Sequence, residues 1–143
     1  MTATATRPSA TGAPGYSAIL PCRPESAGRA RLLVSTALRM WGFSACSGTA
    51  TLIVSELITN AVTHTRCRLA RVTITLIGDG AVRIVVADTS KSVPIMASPA
   101  SDAGSGRGLL LVDALSDCWG YRLHRSGKVV WAELGNKTDG AVK

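Results

Sequence analysis

The stretch Leu52–Thr65, LIVSELITNAVTHT, constrains this chain more than any other. Its apolar residues Leu52, Ile53, Val54, Leu57, Ile58, Ala61 and Val62 have the spacing of a helix packed into a core. Glu56, Asn60 and His64 interrupt them at intervals of four, so the three stack in one polar row beside the apolar arc. A carboxylate and an amide at the edge of a buried face are costly unless something pairs with them. A magnesium-bound nucleotide is one such partner, because hard cations take oxygen ligands and retained waters. An amphipathic helix whose polar row simply meets solvent accounts for the same residues, and for His64 a place in the last helical turn, near the C-terminal dipole, suffices. The rest of the chain has to decide between these readings.

The 143 residues suffice for one domain with a single core. Only 4% are aromatic against 46% apolar, so the core is expected to be aliphatic. Cys22, Cys46, Cys67 and Cys118 form no C-x-x-C pair, and His64 and His124 add no zinc spacing. These thiols read as reduced and structural, which suits a cytoplasmic location. The opening MTATATRPSATGAPG lacks the apolar run of a signal peptide, and no segment reads as a membrane span. The net charge of +7 points to nucleic acid, an acidic protein or phosphates. Yet its arginines are scattered, and the one cluster, Arg66, Arg68 and Arg71, has no interleaved aromatics. A single-strand-binding surface needs them, which makes a nucleic-acid partner the weakest reading.

In order, residues 1–15 are rich in Thr, Ala, Pro and Gly and are expected to stay disordered. Tyr16–Pro21 reads as a first strand ending at a proline corner. A helix follows from Ser26, read as its N-cap, with Ala30, Leu33, Val34, Ala37, Leu38 and Trp41 on one face and Gly42 as its stop. After the Leu52–Thr65 helix, Leu69–Ile77 and Val82–Ala87 read as strands joined by Gly78-Asp79-Gly80, a hairpin signal. The second strand ends at Asp88, which also suits a simple Asx turn. Ser90–Gly106 has little to bury and reads as a mobile loop. Its end, Gly104-Ser105-Gly106-Arg107-Gly108, runs into a short helix, Leu109–Leu115. Trp119–His124 and Val129–Leu134 form a last hairpin, and a frayed tail follows from Gly135. Antiparallel pairs with helices between them predict an α+β fold: a two-layer sandwich of a mostly antiparallel mixed sheet with helices on one face, occupying residues 16–134.

Glycines entering a helix N-terminus suit a phosphate, since free N–H groups and the helix dipole both favour anions. Gly104, Gly106 and Gly108 supply this and Arg107 adds a charge, although neither a P-loop nor a dinucleotide spacing is present. A flexible hinge before a helix explains the same residues.

In combination, SELITNAVTHT (Ser55–Thr65), VVAD (Val85–Asp88), GSGRGLLLVDALSDCWGYR (Gly104–Arg122) and VVWAEL (Val129–Leu134) resemble the GHKL superfamily of gyrase, ninety-kilodalton-class chaperones and sensor histidine kinases. Within it, the chain looks most like the small bacterial anti-sigma-factor serine kinases. The resemblance implies a Bergerat-type fold that binds ATP with Mg²⁺. It makes Asn60 the metal ligand, Glu56 the general base toward a substrate serine, and Asp88 the acceptor for the adenine amine. Gly104, Gly106, Arg107 and Gly108 would wrap the phosphates under a lid formed by Ser90–Ala103. The implied partners are a sigma factor and an anti-anti-sigma protein of the STAS type, in the cytoplasm, and relatives of this kind often form homodimers. One departure stands out. The family pattern Asp-x-Gly-x-Gly reads Asp88-Thr89-Ser90-Lys91-Ser92 here, without either glycine. A partner switch of the same fold with weak or lost nucleotide binding is therefore the alternative expectation.

Overall fold

The computed structural model describes residues 3–8, 14–64, 68–78, 80–89 and 107–135. Six strands form one sheet: β1 (Ala3–Pro8), β2 (Pro14–Pro21), β3 (Leu69–Ile77), β4 (Ala81–Asp88), β5 (Cys118–His124) and β6 (Gly127–Gly135), in the order β1-β2-β3-β4-β6-β5. Every described pairing is antiparallel, so no mixed pair occurs among the described residues. Helices α1 (Ser26–Met40), α2 (Ser47–His64) and α3 (Arg107–Leu115) complete the expected two-layer sandwich.

The alternation in β3 and β4 decides which face the helices cover. Ala70, Val72, Ile74, Val82, Ile84 and Val86 are all buried, as are Val130, Ala132 and Leu134 of β6. Against them lie Ala30, Val34, Ala37 and Leu38 of α1, and Ala50, Ile53, Val54, Leu57, Ile58 and Ala61 of α2. At about 1.5–3 kcal/mol for each fully buried Val, Leu or Ile, Ile53, Val54, Leu57 and Ile58 alone contribute on the order of 6–12 kcal/mol before ordering costs. Leu52, expected on this arc, is instead exposed.

Local signals set the helix ends. At the end of α1, Gly42 takes φ +77, its N–H bonds to Arg39 O (3.1 Å), and the Phe43 N–H reaches Leu38 O (2.7 Å), a Schellman arrangement that returns Phe43 to the core. Ser26 is the first helical residue rather than the cap; Glu25 precedes it, and the Ser26 hydroxyl donates to Pro21 O at 2.6 Å.

Three expectations need correction. The first fifteen residues do not form a featureless tail: Ala3–Pro8 pairs with β2 as an edge strand, and β2 itself begins at Pro14. An edge strand needs only backbone partners on one side and tolerates proline at its ends, so apolar-poor composition did not forbid it. The thiols are not all reduced: Cys22 is disulfide-bonded, whereas Cys46 and Cys118 are free. Finally, Ser44–Thr63 is long and apolar enough to cross a membrane by length and composition, because it includes the helix at the centre of the core. The tail after Gly135 lies outside the described residues.

Candidate functional site

Four polar residues are buried among the described ones: Ser26, Asn60, Asp88 and Lys128. The hydroxyl of Ser26 is accounted for by Pro21. The other three belong to α2, β4 and β6, elements that pack against one another.

Asn60 sits one helical turn after Glu56, as the sequence spacing requires, and it is 7% exposed while Glu56 is half-buried. Among the described residues its side-chain amide makes no hydrogen bond. The amide is not sealed inside the core, so a hydrated cation or a phosphate oxygen is a chemically suitable partner for it. His64 closes the same helix.

Asp88 is the last residue of β4 and continues the inward series of Val82, Ile84 and Val86. Its side chain is 1% exposed, which rules out a solvent-facing Asx turn as its whole role. In register with it across the sheet is Lys128, also 1% exposed, with Nζ 3.7 Å from Asp88 Oδ2. Gly127 permits this approach. Its φ is +153, and a Cβ there would fall 2.0 Å from Asp88 O and 2.7 Å from Thr89 Cα. Only glycine lets the start of β6 lie this tightly against the end of β4. Neither Gly127 nor Lys128 emerged from the motifs. The alternation that buries Val130, Ala132 and Leu134 carries one step back to Lys128 and was the available signal.

Arg107 and Gly108 are the first two residues of α3, so the helix begins two residues earlier than Leu109. This helix packs against α2, with Leu109 and Val112 buried. Ser116 Oγ closes its last turn by donating to Val112 O (2.7 Å), and the far end is tied to the last hairpin by Trp119 Nε1 donating to Asp113 Oδ1 (2.9 Å) and Gly135 N–H donating to Asp117 Oδ2 (2.8 Å). Gly104, Gly106 and the expected lid Ser90–Ala103 lie outside the described residues.

An antiparallel sheet with all its helices on one face, and a carboxylate and an amide buried in the layer between, is the architecture of histidine-kinase-like ATPases. Residues 20–134 match the sequence profile described as "Histidine kinase-like ATPase domain", and the chain belongs to that family. No curated protein matches it in sequence. Among solved structures, the histidine kinase domain of the blue-light-activated histidine kinase EL346 from Erythrobacter litoralis is similar at 20% identity and a TM-score of 0.49, covering 81% of this chain and 61% of that one. The present chain thus spans less than two thirds of that domain. Proteins of this family bind ATP, typically with Mg²⁺.

Proposed function

We propose that this chain is an ATP-binding regulator that acts as an anti-sigma factor with serine-protein kinase activity toward an anti-anti-sigma partner. The observation that carries this reading is Asn60, a polar residue only 7% exposed with no side-chain hydrogen bond among the described residues, one turn from the half-buried carboxylate of Glu56. In the proposed role Asn60 holds Mg²⁺, and Glu56 accepts the proton of the attacking serine hydroxyl. Asp88 receives the adenine amine, while Gly104, Gly106, Arg107 and Gly108 surround the phosphates. The metal, when bound, neutralises charge on the transferring phosphoryl group, so the protein's own work is mainly positioning. The regulator would act in the cytoplasm, where a disulfide such as that at Cys22 is usually transient or redox-sensing.

Transfer of labelled phosphate from ATP to a purified STAS-type protein tests the kinase reading. Wild type should label a serine, and Glu56→Gln should lower the rate by at least about 100-fold, the usual contribution of a general base. Equal labelling by both would remove Glu56 from the role.

A second reading is favoured by Lys128. The carboxylate assigned to adenine already faces a buried ammonium, and the two glycines expected after it are Ser90 and Ser92. Both features suit a partner switch that has kept the fold and lost nucleotide. In that case sigma-factor binding is indifferent to ATP.

A further inference from the structure

The second face of the sheet carries no helix among the described residues, and its side chains are not those of a plain solvated surface. Across five strands run two cross-strand rows. One reads Ile19, Arg71, Ala87, Val129, Arg122 and the next Ser17, Thr73, Val85, Trp131, Gly120. Between β4, β6 and β5 this face is concave, an open cleft of about 410 Å³ lined by Arg83, Val85, Arg122, Val129, Trp131 and Glu133.

Trp131 is built into this cleft. It stands opposite Gly120, where a Cβ would meet the indole at 2.7 Å, so the ring lies across the neighbouring strand in space that only glycine leaves open. Arg83 is held at the rim by Glu133, with Nε 2.7 Å from Oε2. Arg122, on the other side, is exposed and has no ion-pair partner among the described residues, and the same holds for Arg71. Arg83 and Arg122 therefore frame an apolar floor with one glutamate, which Arg83 already engages, and Arg71 lies further along the same cross-strand row as Arg122.

The geometry points to a docking surface for an acidic, amphipathic segment of a partner protein. Its apolar side chains would rest on Trp131, Val85 and Val129, and its carboxylates would meet Arg122 and Arg71. Charge decides the occupant. A second copy of this chain would bring arginines against arginines, and like charges across an interface are costly. A nucleic-acid strand would need several stacking rings, and among the described residues this face has one. An aromatic in a pocket flanked by arginine is the composition that dominates protein interfaces. This inference does not depend on the nucleotide site, which lies on the other face of the sheet.

The test uses fluorescence anisotropy of a labelled peptide of alternating glutamate and leucine, titrated with the full chain at moderate salt. Binding should weaken about tenfold or more in Arg122→Glu and in Trp131→Ala, the size expected of central interface residues. Arg29→Glu, which makes the same change in net charge on the exposed side of α1, should leave it unaltered. Arg122 is exposed, so its variant stays interpretable even if Trp131→Ala does not fold. Equal weakening by Arg29→Glu and Arg122→Glu would overturn the proposal, since net charge alone would then explain binding. So would displacement of the peptide by a labelled single-stranded oligonucleotide of comparable charge, or a sedimenting dimer that Arg122→Glu dissolves.

Discussion

Removing one partner of the Asp88–Lys128 pair should be far more damaging than removing both. Each side chain is 1% exposed, and the charged atoms are 3.7 Å apart. In Lys128→Met the ammonium is lost with the length of the side chain kept, which leaves a carboxylate in the layer between α2 and the sheet. Removing one charge of a buried pair costs about 3–5 kcal/mol, and Asp88→Asn, which takes the carboxylate away from the lysine, should cost a similar amount. Against a total stability of roughly 5–15 kcal/mol, either variant stands near the edge of folding. The double variant Asp88→Asn/Lys128→Met buries no charge and should lie within about 2 kcal/mol of wild type, because a well-packed neutral replacement of a buried pair is often nearly free. The coupling is then several kcal/mol, well beyond the departures seen between independent sites. Urea unfolding followed by circular dichroism measures all four proteins, with the slope checked for constancy. Since the pair is shielded from solvent, raising salt should change the coupling little. Single variants that each cost under about 1 kcal/mol, or costs that simply add in the double variant, would refute the assignment of a buried, coupled pair.

Other outcomes follow from the same structure. Gly127→Ala, with positive φ and a Cβ driven into the Asp88–Thr89 backbone, should destabilise by about 3 kcal/mol or more in the same urea assay. Ile84→Ala, in the fully buried middle of β4, should cost about 2–5 kcal/mol, while Leu52→Ala on the exposed side of α2 should cost under about 1 kcal/mol. Reducing the disulfide at Cys22 should lower stability by about 2–4 kcal/mol, read as a drop in the urea midpoint with added reductant. Partial desolvation, with Glu133 accepting its hydrogen bond and Asp117 nearby, raises the Cys118 pKa. Because the thiolate is the reactive form, Cys118 modification by a disulfide reagent should need higher pH than an ordinary thiol, and Glu133→Gln should move that profile to lower pH.

Alternation and helical spacing were sufficient for the architecture. The i, i+3, i+4 series of α1 and α2 and the period of two in β3 and β4 name nearly all of the buried residues, because one face of each element meets one common core. They failed where backbone pairing, and not side-chain burial, makes the element: β1 has no apolar series to read, yet it completes the sheet edge. In the site, Asn60 and Asp88 were legible because each is a polar residue inside an apolar period. Lys128 breaks its period in the same way, but it is the second residue of β6, where a lysine after glycine reads as loop. The register that sets it opposite Asp88 is a long-range fact of strand order, and no local pattern in the chain contains it. The oxidised state of Cys22 was equally hidden, since spacing does not reveal which cysteines the fold brings together.

The direct test of a nucleotide site built on α2 is calorimetric titration of the intact chain with Mg-ATP, beside an Asn60→Ala variant shown by circular dichroism to be folded. The account predicts saturable heat for wild type and a loss of at least about tenfold in affinity for Asn60→Ala, the scale of one strong polar contact to a charged ligand. No heat from wild type at millimolar nucleotide, or the same affinity in both proteins, would contradict it.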